Sequence, residues 1–115
     1  METIYIVIGL FSFAALLGII LISYVLRSKK TPLILAFIHG PVAATALGIL
    51  IYYSIVKERM MVASIVLFAL AAVFGIVLLV KDLSEKEKPL PKGLAITHGL
   101  VAVTGFIVLL VNVFA

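Results

Sequence analysis

The chain has no cysteine among its 115 residues, which excludes a disulfide, a thiolate metal site and thioether attachment of a haem. Charge is scarce too: 12% of residues are Asp, Glu, Lys or Arg, against 65% hydrophobic. A soluble domain is closer to a quarter charged and half apolar, so this is the composition of a membrane protein, with no length left for a separate soluble domain. Polar chemistry inside the apolar segments is scarcer still. Glu2 is the only acidic residue expected outside the loops, which leaves a proton-coupled transporter without a carboxylate. No nucleophile–base–carboxylate set lies in or near the apolar runs, which argues against a hydrolase. The opening Met1-Glu2-Thr3-Ile4 lacks the basic n-region of a cleavable signal, so the first apolar run is expected to be retained.

What the chain does have is four apolar runs, roughly Thr3–Leu26, Leu33–Val56, Met60–Val80 and Lys92–Phe114. Each is long enough to cross a hydrocarbon core of about 30 Å as a helix, and none alternates as a membrane strand would. The links between them are short, which favours antiparallel neighbours. The expected fold is therefore an all-α bundle of four transmembrane helices. The mixed-sign stretch Asp82-Leu83-Ser84-Glu85-Lys86-Glu87-Lys88-Pro89 is expected to be a solvated loop.

Basic residues set the orientation. Arg27, Lys29 and Lys30 fall in the first link and Lys81, Lys86, Lys88 and Lys92 around the third, whereas the second has only Lys57 and Arg59. The positive-inside rule then puts links one and three in the cytoplasm and both termini outside, in a bacterial plasma membrane as the simplest home. That placement accounts for the net charge of +4 without a nucleic-acid partner.

The chain also repeats itself. Phe37-Ile38-His39-Gly40-Pro41-Val42-Ala43-Ala44-Thr45 is echoed by Ile96-Thr97-His98-Gly99-Leu100-Val101-Ala102-Val103-Thr104. Likewise Ala14-Ala15-Leu16-Leu17-Gly18-Ile19 is echoed by Ala71-Ala72-Val73-Phe74-Gly75-Ile76. The unit is a helical hairpin used twice, about 3–56 and about 60–114, with its copies related by an axis along the membrane normal.

His39 and His98 are the only histidines, and an ionisable ring inside an apolar span is by default there for a function. Each follows the start of its helix by six residues, so both lie roughly 9 Å in from the same end at 1.5 Å per residue. Small residues share their faces: Ala36, Ala43 and Ala46 with His39, and Ala95, Ala102 and Gly105 with His98. Close helix packing of the small-xxx-small kind would use the same stripe. Gly18 and Gly75 fall in the same layer, roughly 9–12 Å deep, and repeated helical glycines point to a close approach to the backbone.

At this point the chain resembles the membrane b-type cytochromes, bundles that ligate haem through histidines on facing helices with glycines beside the macrocycle. The resemblance is architectural and covers all four spans. It implies one haem b per chain, between helices two and four, with His39 and His98 as axial iron ligands. Gly18, Gly75, Ala43, Ala102, Gly40 and Gly99 would line the macrocycle, and Lys30 and Lys92 would meet the propionates, beside Arg27 and Lys29. The second imidazole nitrogen would donate to Thr97 or to a main-chain carbonyl. Bis-histidine iron has no open position, which implies one-electron transfer near the cytoplasmic side rather than a stand-alone enzyme. A quinol, a flavoprotein or another membrane redox subunit would be the partner, and a homodimer is open. Alternatives are a haem-free accessory subunit and a small transporter. A copper or zinc carrier is weaker, because two imidazoles make a poor site and Met1, Met60 and Met61 fall at the far end.

Overall fold

A computed structural model describes residues 2–59 and 61–115; Met1 and Met60 lie outside the described residues. The chain forms four α-helices, α1 (Glu2–Leu26), α2 (Leu33–Val56), α3 (Val62–Ser84) and α4 (Lys92–Phe114). Each is long and apolar enough to cross a membrane, the make-up that suits an integral membrane protein. Their length sets the shape, a bundle 46 × 21 × 19 Å.

The helix boundaries follow from local chemistry. Pro32 and Pro91 precede α2 and α4 with extended backbones (φ −64°, ψ 119° and φ −63°, ψ 125°), a conformation that proline fixes without removing a needed donor. Pro41 sits inside α2, where it leaves the carbonyl of Phe37 without its usual i+4 donor. The helix continues through it. Both α1 and α2 end on a non-glycine residue in the left-handed region, Ser28 (φ 55°) and Glu58 (φ 52°). Beside them, Lys29 N–H donates to the Tyr24 carbonyl and Lys57 N–H to the Tyr53 carbonyl, each at 2.9 Å.

Such a position favours glycine, and an L side chain there costs about 1 kcal/mol. Ser28→Gly is therefore expected to raise stability by roughly 0.5 kcal/mol once the larger unfolded-state entropy of glycine is offset. Thermal unfolding of the detergent-purified protein reads this as a modest rise in midpoint. A fall would show that the serine side chain supports the turn.

One boundary differs from the sequence reading. α3 does not stop at Val80 but runs on to Ser84, so Lys81 and Asp82 belong to a helix and not to a solvated loop. The extra turn forms because Asp82 has partners. Its carboxylate is ion-paired with Lys30 and accepts from Thr31 Oγ1 at 3.1 Å. Lys30 Nζ also donates to the Asp82 carbonyl at 3.0 Å. Asp82 is only 2% exposed, so Glu2 is not the one acidic residue outside the loops. Residues Glu85 to Pro89 are exposed as expected.

Sequence-adjacent helices pack side by side, most tightly within the pairs α1–α2 and α3–α4, and more loosely at the α1–α4 and α2–α3 seams. That order leaves α1 diagonal to α3, and α2 diagonal to α4. The core is concentrated at the two ends. Toward the chain termini, Ile4, Val7, Phe11, Ala46, Leu50, Tyr53, Met61, Phe68 and Leu109 form one cluster. Within it, Phe11 and Phe68 stack across the bundle with centroids 3.9 Å apart. Tyr53 is part of this core. Tyr5 and Tyr52 are exposed, and Tyr5 stacks on Phe114 at 6.3 Å. At the other end Val25, Leu78 and Ala95 make a smaller cluster. Gly105 serves helix packing, since a Cβ there would stand 3.2 Å from the Leu67 Cβ.

Candidate functional site

Between the two packed ends lies a cavity of about 860 Å³, inside the range of a few hundred to about 1,000 Å³ typical of small-molecule and cofactor sites. Its wall is overwhelmingly apolar. His39 and His98 stand in it, as do Gly18, Gly75, Gly40, Gly99, Ala43 and Ala102, so the structure brings eight of the ten residues singled out by sequence to one space. Lys30 and Lys92 are not among the lining residues. Lys30 is engaged with Asp82, and Lys92 is exposed at the start of α4. Asp82 and Thr31 form the polar part of the floor at the α1–α2 link. The lining includes strongly exposed side chains from all four helices, Ile19, Phe37, Ile76 and Leu100. The cavity is therefore open sideways between helices and not sealed.

The two histidines are held by one repeated device. His39 Nδ1 lies 2.8 Å from the Ala14 carbonyl oxygen on α1, and His98 Nδ1 lies 2.8 Å from the Ala71 carbonyl oxygen on α3. A carbonyl can only accept, so Nδ1 carries the proton and donates, and the neutral ring keeps its free lone pair on Nε2. Thr97, the other partner considered for His98, instead donates from its hydroxyl to the Gly93 carbonyl at 2.8 Å.

Glycine makes this arrangement possible. Each ring lies close against the neighbouring helix, where a Cβ on Gly18 would be 3.3 Å from His39 Cε1 and a Cβ on Gly75 would be 3.1 Å from His98 Cε1. The close approach that the repeated glycines signalled is thus made by the imidazoles themselves. Gly40 and Gly99 have nothing within 4 Å of where a Cβ would be, so they leave open space beside each histidine.

Across the cavity the two rings face one another from the diagonal helices α2 and α4, with centroids 6.1 Å apart and planes at 82°. Two imidazoles sharing one metal at about 2.0–2.1 Å per nitrogen, with each nitrogen about 1.2 Å from its centroid, stand roughly 6.4 Å apart. Their planes are free to be mutually perpendicular. Among the described residues no group of three or more His, Cys, Asp or Glu is placed to hold a bare metal ion. The two imidazoles are thus the only His, Cys, Asp or Glu side chains besides Asp82 that line this apolar cavity among the described residues.

Sequence reasoning missed two features of this site. The carbonyls of Ala14 and Ala71 are main-chain groups that every residue has, so no side-chain signal points to them. Asp82 was visible only as one member of a charge run, and its burial depends on Lys30 and Thr31 from a distant link. No protein family, curated protein or solved structure is found to match the chain.

Proposed function

We propose that the chain is a membrane b-type cytochrome that binds one haem between α2 and α4 through His39 and His98 and serves in one-electron transfer. The observation that carries this reading is the pair of Nδ1-to-carbonyl hydrogen bonds. Metal-bound histidines usually donate their other ring N–H to a carbonyl or carboxylate, which fixes the tautomer and the ring orientation. Here both rings donate from Nδ1 to a main-chain carbonyl of the neighbouring helix. The 6.1 Å spacing and the volume of the cavity support the same reading.

In this reading the helices lie across a bilayer as two tandem hairpins, with the basic links on the cytoplasmic side of a bacterial membrane and both termini outside. The group would supply one-electron chemistry when bound. The residues of this chain do the rest. His39 and His98 bind, while Ala14 and Ala71 orient them. Phe11, Phe68 and Phe106 close the cavity toward the termini, and the apolar wall keeps water out. A haem held by both histidines would supply one-electron exchange with a quinol, a flavoprotein or another redox subunit rather than oxygen binding.

The competing reading is haem-free. A separation of 6.1 Å also lies in the range of an edge-to-face aromatic pair, and a histidine–carbonyl bond between helices is a packing device in its own right. An accessory subunit would need nothing more. A small transporter gains from the buried Asp82 the carboxylate it lacked on sequence grounds, although Lys30 neutralises it. Visible absorption of the detergent-purified protein separates these. A Soret band, with sharp α and β bands on dithionite reduction and about one haem per chain, is the expected result. A protein that stays colourless when expressed with added haem overturns the cytochrome reading.

A further inference from the structure

We propose that the seam between α2 and α3 is a mouth facing the bilayer, through which the haem enters and leaves the cavity, the matching seam between α1 and α4 being the narrower. The inference rests on the haem reading above. It begins with where the cavity is shut. Toward the termini, Phe11 and Phe68 stack across the bundle with centroids 3.9 Å apart. Toward the links, Val25, Leu78 and Ala95 pack together, and buried Thr31 and Asp82 are bonded to each other. The pairs α1–α2 and α3–α4 are tightly packed along their length. What remains is the two looser seams.

Helix periodicity shows which side chains border each seam. His39 turns toward α1, where it bonds the Ala14 carbonyl. Gly40 lies about 100° further round the helix and Ala44 roughly one turn beyond it, on the side toward α3. On α3, Ala71 and Gly75 meet His98 of α4, so Ala72 and Ile76, one residue on from each, border α2. The repeat sets Gly99 and Val103 of α4 opposite Ala15 and Ile19 of α1 at the other seam. Consistent with that placement, Ile22, nearly one turn beyond Ile19, packs in the cluster that holds Ala95 of α4. All of these rim residues line the cavity.

Three of the four matched positions carry the same residue at both seams. The fourth does not: Ala44 stands where the other seam has Val103, and nearby Pro41 stands where the other has Leu100. Val103 and Leu100 are 54% and 64% exposed, so they project at their rim, and the α2–α3 rim is short of two branched side chains. Small residues in membrane helices ordinarily let another helix approach closely. Here nothing lies within 4 Å of where a Gly40 Cβ would be, and Ala44 is exposed. The reduced rim is open space and not packing. Because the cavity wall is apolar, the molecule it admits is one dissolved in hydrocarbon, and a largely apolar, planar macrocycle presented edge-on meets that requirement. The two helices stay joined at both ends of the gap, by the core toward the termini and by the contact of Lys30 and Thr31 with Asp82 toward the links.

The absence of cysteine gives a clean test. Ala44→Cys and Val103→Cys are each made in the full-length, haem-loaded protein in lipid nanodiscs and capped with N-cyclohexylmaleimide. Haem release to an excess of a haem-scavenging apoprotein is then followed in the Soret band, since exit retraces entry. Capped Ala44→Cys is expected to keep the parent spectrum and to release haem at least about tenfold more slowly than capped Val103→Cys, the low end of the ~1–3 decades over which association rates vary among variants of one site. Equal rates, slower release from capped Val103→Cys, or faster release on capping Ala44→Cys overturns the proposal. So does loss of the spectrum on capping, which would put Ala44 in the haem site itself. Failure of the maleimide to react at Ala44→Cys overturns it too, because a second copy or another chain then covers the seam. Ala72→Cys and Ala15→Cys repeat the comparison on the facing helices and decide it if either first variant does not fold. A colourless parent is a different failure: it overturns the haem reading itself and this inference with it.

Discussion

His39→Ala and His98→Ala are each expected to remove the sharp reduced α band and to weaken haem retention by at least about 100-fold. Loss of a group that merely orients a metal ligand already costs 10–100-fold in affinity, and loss of the ligand itself must cost more. Each variant also forfeits an interhelical hydrogen bond, worth on average about 0.6 kcal/mol in a membrane bundle, so both should still fold. The two effects must appear together, since the rings stand on one shared space. If one variant keeps a low-spin spectrum, its histidine is not a ligand. If parent and variants are all colourless and differ only in stability by that small amount, the haem-free reading stands in its place.

The second large effect is expected at the glycines beneath the rings. In an exposed stretch of helix, Gly→Ala stabilises by up to about 1 kcal/mol. Gly48 has nothing within 4 Å of where a Cβ would be, and Gly48→Ala should follow that rule. Gly75→Ala should do the reverse. Its new methyl group would meet His98 Cε1 at 3.1 Å and Nδ1 at 3.6 Å, and the ring cannot retreat while it donates to the Ala71 carbonyl at 2.8 Å. Gly18→Ala is milder, at 3.3 Å and 3.8 Å. We expect haem affinity and thermal midpoint to fall in the order Gly75→Val, Gly75→Ala, Gly18→Ala, most affected first. A Gly75→Ala variant more stable than the parent, with an unchanged spectrum, would show that the imidazole is free to move.

The helices were legible because continuous apolar runs of more than 20 residues have few other outcomes, and the short links made neighbours of consecutive helices. The histidine pair was legible through its repeated surroundings. Other features depend on groups far apart in the chain. Charge at Lys81 and Asp82 reads as a helix end, and only the arrival of Lys30 and Thr31 makes one further turn favourable. Tyr53 and Tyr52 look alike in sequence, yet one faces the core and the other the exterior, because adjacent positions on a helix are about 100° apart. The glycines announced a close contact without naming what makes it.

The diagonal placement of the histidines has a consequence for assembly. Each ring is set by its own hairpin, His39 by α1 and His98 by α3, yet the pair exists only where the two hairpins meet. A cofactor held by both rings therefore binds the docked arrangement and not the separated halves. By linkage its occupancy strengthens docking by RT ln(1 + [L]/Kd), about 2.7 kcal/mol at a free concentration 100 times the dissociation constant. Since the α1–α4 and α2–α3 seams are the looser ones, the ligand would act as the clasp between two preformed halves.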